Sequence, residues 1–155
     1  MNVAFGSEGW VLVAALFGLL VGSFLNVVIH RLPLGQNIAF PPSHCPRCEM
    51  AIRPWHNVPV LSFLWLRGRC RWCGTGISFR YPAIELLTGA LFAAIAWEFG
   101  LTVWTPLFCV FAASLVAAGM IDYDHQIVPD SISLGGLMVA LIVVPVAAAM
   151  EGQPW

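Results

Sequence analysis

Apolar residues in this chain come in long unbroken runs rather than in alternation. Residues 10–29 form a run of 20 without a charge, residues 101–121 one of 21, and residues 132–150 one of 19. At a rise of about 1.5 Å per residue, about 20 residues cross a hydrocarbon core of about 30 Å. Each run is therefore expected to be a membrane-spanning helix. A further span is expected over about 83–98, because Pro82 suits a first helical turn and Glu85 close behind it complements the positive helix end. Glu98, Phe99 and Gly100 break that stretch before the next run begins. Joined as one helix, residues 83–121 would be near twice the bilayer thickness, so two antiparallel spans with a tight turn fit better. Asn26, inside the first run, is expected to hydrogen-bond between helices, and the pairs Ala113/Ala117 and Ser114/Ala118 to let helices approach closely. Cys109 reads as a small buried apolar residue.

Residues 31–81 have a different character. Prolines at 33, 41, 42, 46, 54 and 59 and glycines at 35, 68, 74 and 76 forbid long helices there. The apolar residues are too scattered for a large core, so the segment needs a staple. Cys45-Pro-Arg-Cys48 and Cys70-Arg-Trp-Cys73, with 21 residues between them, supply one. Their spacing is close to that of a tetrathiolate zinc site. Four thiolates fill the coordination shell, which makes the metal structural and leaves His44 and His56 as loop residues.

Composition agrees, since the 155 residues are 59% hydrophobic and 10% charged, against about 25% charged for a soluble domain. There is no lysine, and all seven arginines (Arg31, Arg47, Arg53, Arg67, Arg69, Arg71, Arg80) fall between 31 and 80, where Glu49 is the one acid. So basic a segment beside spans reads as cytoplasmic, with the N-terminus outside. There thiols stay reduced, which favours zinc over disulfides. No basic residue precedes the first run, which argues against a signal peptide. The expected fold is an all-α polytopic membrane protein of about four transmembrane helices. Its parts are helix 1 at 10–30, a small cytoplasmic zinc-binding domain at 31–81, and a transmembrane region at 82–155 with spans at about 83–98, 101–121 and 132–150. The last five residues, expected outside, are too short to be a domain. No internal repeat is visible, and no nucleic-acid partner is expected.

Chemistry is sought in residues 121–130, IDYDHQIVPD, because ionisable groups at the end of a span usually mark a function. Asp122 and His125 share a helical face if the third span continues, whereas Asp124 points elsewhere. Pro129 should end that helix, and Asp130 is a natural N-cap for the next. Asp122, nearest the apolar phase, is the best candidate for a reactive carboxylate.

Residues 22–33 (GSFLNVVIHRLP), the two CxxC pairs, 57–70 (NVPVLSFLWLRGRC), 77–89 (ISFRYPAIELLTG) and 121–130 stand in collinear order. Together they resemble the type IV prepilin peptidases, bacterial inner-membrane aspartyl proteases that trim prepilin leaders and N-methylate the new N-terminus. The resemblance runs from about residue 22 to about 133. It implies two aspartates sharing a proton, of which Asp122 is the first, with Asp124 as runner-up. It also implies a prepilin or pseudopilin substrate lying in the bilayer and S-adenosylmethionine as methyl donor, whose site maps to no residue here. The family's second aspartate lies in a GxGD block, and no Gly-Asp pair occurs in these residues. The chain alone is therefore expected to be inactive and to need a missing C-terminal half. The alternative is a noncatalytic zinc-stapled membrane assembly protein derived from the same family. A small transporter with Asp122 in a proton path fits less well, because the acids cluster at one face rather than mid-membrane.

Overall fold

In lipid, apolar side chains gain little by exchanging one apolar medium for another, so associating helices must bring their backbones close. The computed structural model, which describes residues 6–150 and leaves the 151–155 tail outside them, is built on such a contact. Its helices are α1 (Gly6–Arg31), α2 (Leu61–Trp65), α3 (Arg80–Phe99), α4 (Trp104–His125) and α5 (Asp130–Met150), with a 3-10 turn at Pro54–His56. There is no β-strand among the described residues. α1, α3, α4 and α5 are each long and apolar enough to cross a membrane. The four-cysteine segment lies between the first two of these, so the fold is all-α and polytopic with a small module inserted.

Gly18 and Gly22, one turn apart on α1, face Gly89 and Glu85 on α3. A Cβ on Gly22 would stand 2.7 Å from the Glu85 Cα, and one on Gly18 2.8 Å from the Gly89 Cα. Only glycine fits at either position. One turn on, Asn26 Nδ2 donates to the Tyr81 carbonyl of α3, the expected bond between helices, and to the Gly22 carbonyl of its own helix, both at 3.2 Å. Thr88, wholly buried in the same seam, satisfies its hydroxyl on the Ile84 carbonyl at 2.8 Å.

α4 closes the bundle, and Leu25, Ile29, Ile84, Ala117 and Ile121 form its core, with Ile121 wholly buried. Ala113 packs on that core, as its spacing from Ala117 suggests. Ser114 instead returns its hydroxyl to the Val110 carbonyl of its own helix. Gly100, at φ 62°, turns the chain between α3 and α4, and its carbonyl accepts from Trp10 Nε1 at 3.3 Å and Thr105 Oγ1 at 2.5 Å. α5 leans on α4 and sends Ile132 to the core.

Two contacts fasten the inserted module. Arg31, buried at the end of α1, donates to the carbonyls of Asn37 at 3.0 Å and Pro41 at 2.8 Å and so fixes the first return of the chain. The second corrects the reading of Glu85. α3 begins at Arg80, so Glu85 lies in its second turn, 8% exposed, and does not complement the helix end. Its carboxylate accepts the Val60 N–H at 2.7 Å. Val60 has φ 60° and ψ −49°, and Leu61 N donates to the Pro59 carbonyl at 2.5 Å, a γ-turn of the strained hand. Such a backbone costs of order 1–3 kcal/mol, and a charge-assisted hydrogen bond offsets part of it.

The α1–α3 seam makes a direct prediction. Gly22→Ala destabilises the chain in detergent by about 1–3 kcal/mol, the usual cost of overpacking. Gly119→Ala on α4, where an added Cβ meets nothing within 4 Å, is neutral or slightly stabilising through helix propensity. Thermal unfolding checks the pair; equal midpoints for the two variants would contradict the seam.

Candidate metal centre and acidic turn

Each CxxC pair sits in a tight knuckle, and the two knuckles repeat one hydrogen-bond pattern. In the first, Cys45 N donates to the Met50 carbonyl (3.0 Å), Glu49 N to that of Cys45 (2.8 Å), and Ile52 N to that of Ser43 (2.8 Å). In the second, Cys70 N donates to Thr75 (2.7 Å), Gly74 N to Cys70 (3.0 Å), and Ile77 N to Gly68 (2.7 Å). Isolated bridges His44–Ala51 and Arg69–Gly76 close the two at matching places. The module is thus a structural repeat that sequence reading missed, because its identity lies in main-chain bonds while the side chains differ. Position for position, Glu49 at φ 55° stands where the second knuckle has Gly74 at φ 68°.

The knuckles face each other and bring four sulfurs together. Cys45 Sγ lies 3.8 Å from Cys73 Sγ, Cys48 Sγ lies 4.0 Å from Cys70 Sγ, and all four fall within 4.8 Å of one another. A tetrahedral ion held at about 2.3 Å by each sulfur sets them about 3.8 Å apart, so the set is shaped for a metal ion. None of the four is in a disulfide. The N–H groups of Cys48 and then Arg47 point at Cys45 and draw its thiol down to about 6. For Cys48 the Met50 N–H pulls downward, but desolvation and the three neighbouring thiols outweigh it and push the thiol up to about 12. Around the cluster, Arg53 lies 5.6 Å from the Trp55 ring and 5.4 Å from that of Trp72, clamping the second knuckle to the linker. His44 and His56 are not in the sulfur cluster.

The acidic turn is built by the end of α4. The helix runs on to His125 and stops at Gln126, whose left-handed φ of 54° lets its N–H reach back to the Asp122 carbonyl at 2.8 Å. Pro129 caps α5 through its carbonyl, which accepts from Ile132 and Ser133, and Asp130 sits in the first turn. Asp124 takes Arg80 as a forked ion pair, Nη1 to Oδ1 at 2.7 Å and Nη2 to Oδ2 at 2.5 Å. This is the one ion pair among the described residues, and it ties the start of α3 to the end of α4. A cleft of about 230 Å³ beside it is lined by Asn26, His30, Arg80, Tyr81, Asp124 and His125 among others. The cleft therefore gathers Asp124 and His125, whereas Asp122 is outside its lining. Asp122 is exposed next to the fully buried Ile121 and carries no ion pair. Arg80 was visible in the sequence only as one of seven arginines; no local signal names its partner 44 residues on.

Fold and site together define a polytopic helical membrane protein with a four-thiol metal module fastened to its bundle. The chain belongs to the bacterial peptidase A24 N-terminal domain family, whose model matches residues 16–99. It is similar to the prepilin leader peptidase/N-methyltransferase of Stutzerimonas stutzeri, 40% identical over 94% of this chain and 59% of that protein. Its likeness to the protein of that name from Neisseria gonorrhoeae is 42% over 83% of this chain and 54% of that one. The corresponding Myxococcus xanthus protein is 49% identical over 80% of this chain and 37% of its own length. The chain thus spans about half the length of the curated relatives it matches. No solved structure matches it.

The left-handed backbone at Glu49 generates a test. Glu49→Gly relieves about 1 kcal/mol of strain and slows metal loss to a chelator, whereas Gly74→Glu adds strain and speeds it. Release rates followed with a metallochromic dye decide it, and a faster release from Glu49→Gly would contradict the equivalence of the knuckles.

Proposed function

We propose that the chain is the N-terminal part of a membrane aspartic peptidase that removes the leaders of prepilins or pseudopilins and methylates the new N-terminus. Its domains are then a first span at 10–30, a cytoplasmic zinc-binding unit at 31–81, and at 82–155 the first part of the peptidase-type membrane region. The membrane is the bacterial inner membrane, with the N-terminus outside. The observation that carries the reading is the exposed, unpaired Asp122 carboxylate at the end of α4, on a scaffold that belongs to this family.

In this reading Asp122 supplies one half of a proton-sharing pair, one member activating water and the other protonating the departing amine. Asp124, held in a fork by Arg80, is spent on fixing the turn. The second aspartate comes from outside these residues, and these residues alone do not cleave, because a lone carboxylate cannot serve as base and acid in one turnover. Zinc suits the four thiolates and, with no open position, stabilises the module without touching the reaction. The methyl donor's site maps to none of the described residues. No methyl-transfer step is therefore derived from them.

The decisive experiment uses a polypeptide extended to the length of the relatives, with a leader-bearing prepilin in proteoliposomes. Asp122→Asn abolishes cleavage and leaves zinc content unchanged, while Asp124→Asn retains cleavage and lowers thermal stability. Cleavage by the Asp122→Asn variant would refute the assignment.

Metal binding has its own test. The chain is expected to carry one zinc ion, lost in Cys48→Ser and Cys70→Ser. Zinc displaces protons, and with its thiol near 12 Cys48 stays protonated across pH 6–8 in the metal-free protein. Apparent affinity therefore rises with pH through that window, by about tenfold per unit for each proton displaced. Competition titration against a chelator of known proton dependence reads the slope, and a flat profile would contradict the thiol assignment.

A further inference from the structure

α2 carries the sequence LSFLW, and its apolar side chains point away from the protein. Leu61 is 65% exposed, Leu64 64% and Trp65 82%, while Phe63 alone turns inward, onto Phe79 at a ring separation of 6.1 Å and beneath Gly68. The position of this patch along the bundle is fixed. Val60, the residue before α2, bonds to Glu85, which lies level with Gly22 on α1. The Arg80–Asp124 pair marks the polar end of the bundle. Glu85 is five residues further into α3, about 7 Å deeper by helical rise. From there α2 descends to Phe79, beside the first turn of α3. Exposed Phe79 and Tyr81 continue the aromatic surface, and exposed Arg67, Arg69 and Arg71 follow α2 directly.

We propose that α2 is an interfacial membrane element: Leu61, Leu64 and Trp65 sit in the acyl boundary beside α3, and the arginines after them meet anionic headgroups. The bilayer is the occupant because α2 starts at the level of Glu85, inside the membrane-spanning α3, and ends with Phe63 against Phe79 where α3 begins, which spans the boundary between the apolar bundle and its polar end. Trp and Tyr belong at that level, and basic residues next to them gain from anionic lipid. The zinc module thereby rides on the membrane rather than hanging below it. The inference rests on the four spans and not on the peptidase reading.

The test places the whole chain in vesicles of phosphatidylglycerol and phosphatidylethanolamine brominated near the headgroup. The emission of Trp65, taken as the difference between the parent and Trp65→Phe, is expected to be largely lost to the brominated lipid and insensitive to aqueous iodide. Trp55, in the 3-10 turn after the first knuckle and read through Trp55→Phe, shows the opposite response. Quenching of Trp65 by iodide would overturn the proposal by placing α2 in water. Quenching by neither agent would also overturn it, assigning the patch to contact with a second copy of the chain. Both substitutions replace an exposed ring by another ring, and zinc content confirms that the module stays folded.

Discussion

The hydrogen bond from the Val60 N–H to the Glu85 carboxylate ties the middle of the inserted module to the buried seam of the bundle, where Arg31 fastens only its start. Glu85 is buried where α1 and α3 meet at glycine, with the Ser23 hydroxyl also turned to it, and an acid in that place needs donors. Val60 supplies one by adopting a backbone that a β-branched side chain resists. Each group is costly alone and tolerable together. The contact sets the height of α2 against α3 and, through α2, the seat of the second cysteine knuckle.

The module that hangs from this bond has almost no core. Cys45 is its one buried cysteine, and most of its large apolar side chains are open. Its order comes instead from two copies of a main-chain knuckle facing each other across four sulfurs, with Arg53 laid between Trp55 and Trp72. The membrane bundle is ordered the opposite way, by backbone approach at Gly18, Gly22 and Gly89 and a small apolar cluster around Ile121. Neither strategy needs much buried apolar area, which suits a chain of long helices in lipid.

Much of this was legible in the amino-acid order. A span announces itself by length and apolarity alone, and two CxxC pairs announce a metal site by spacing, so the four long helices and the cysteine cluster were foreseen. The small pair Ala113/Ala117 was also readable, since Ala117 lies in the core. What escaped depends on partners distant in the chain. Glu85 reads as a helix-end acid until Val60, 25 residues earlier, is seen against it. Asp122 was preferred to Asp124 from the sequence, but that Arg80, 44 residues away, claims Asp124 has no local signal. Gly18 and Gly22 show the spacing of a close helix contact in plain sight, yet nothing local says that α3 is what they meet.

The central claim is that the Glu85 carboxylate holds the metal module against the membrane bundle, and amide exchange at Val60 tests it most directly. In zinc-loaded protein the Val60 amide is expected to exchange slowly, as slowly as neighbouring bundle amides, and Glu85→Leu should release it while the α1–α3 amides stay protected. A Val60 amide that exchanges in the parent protein as freely as an open loop would contradict the account.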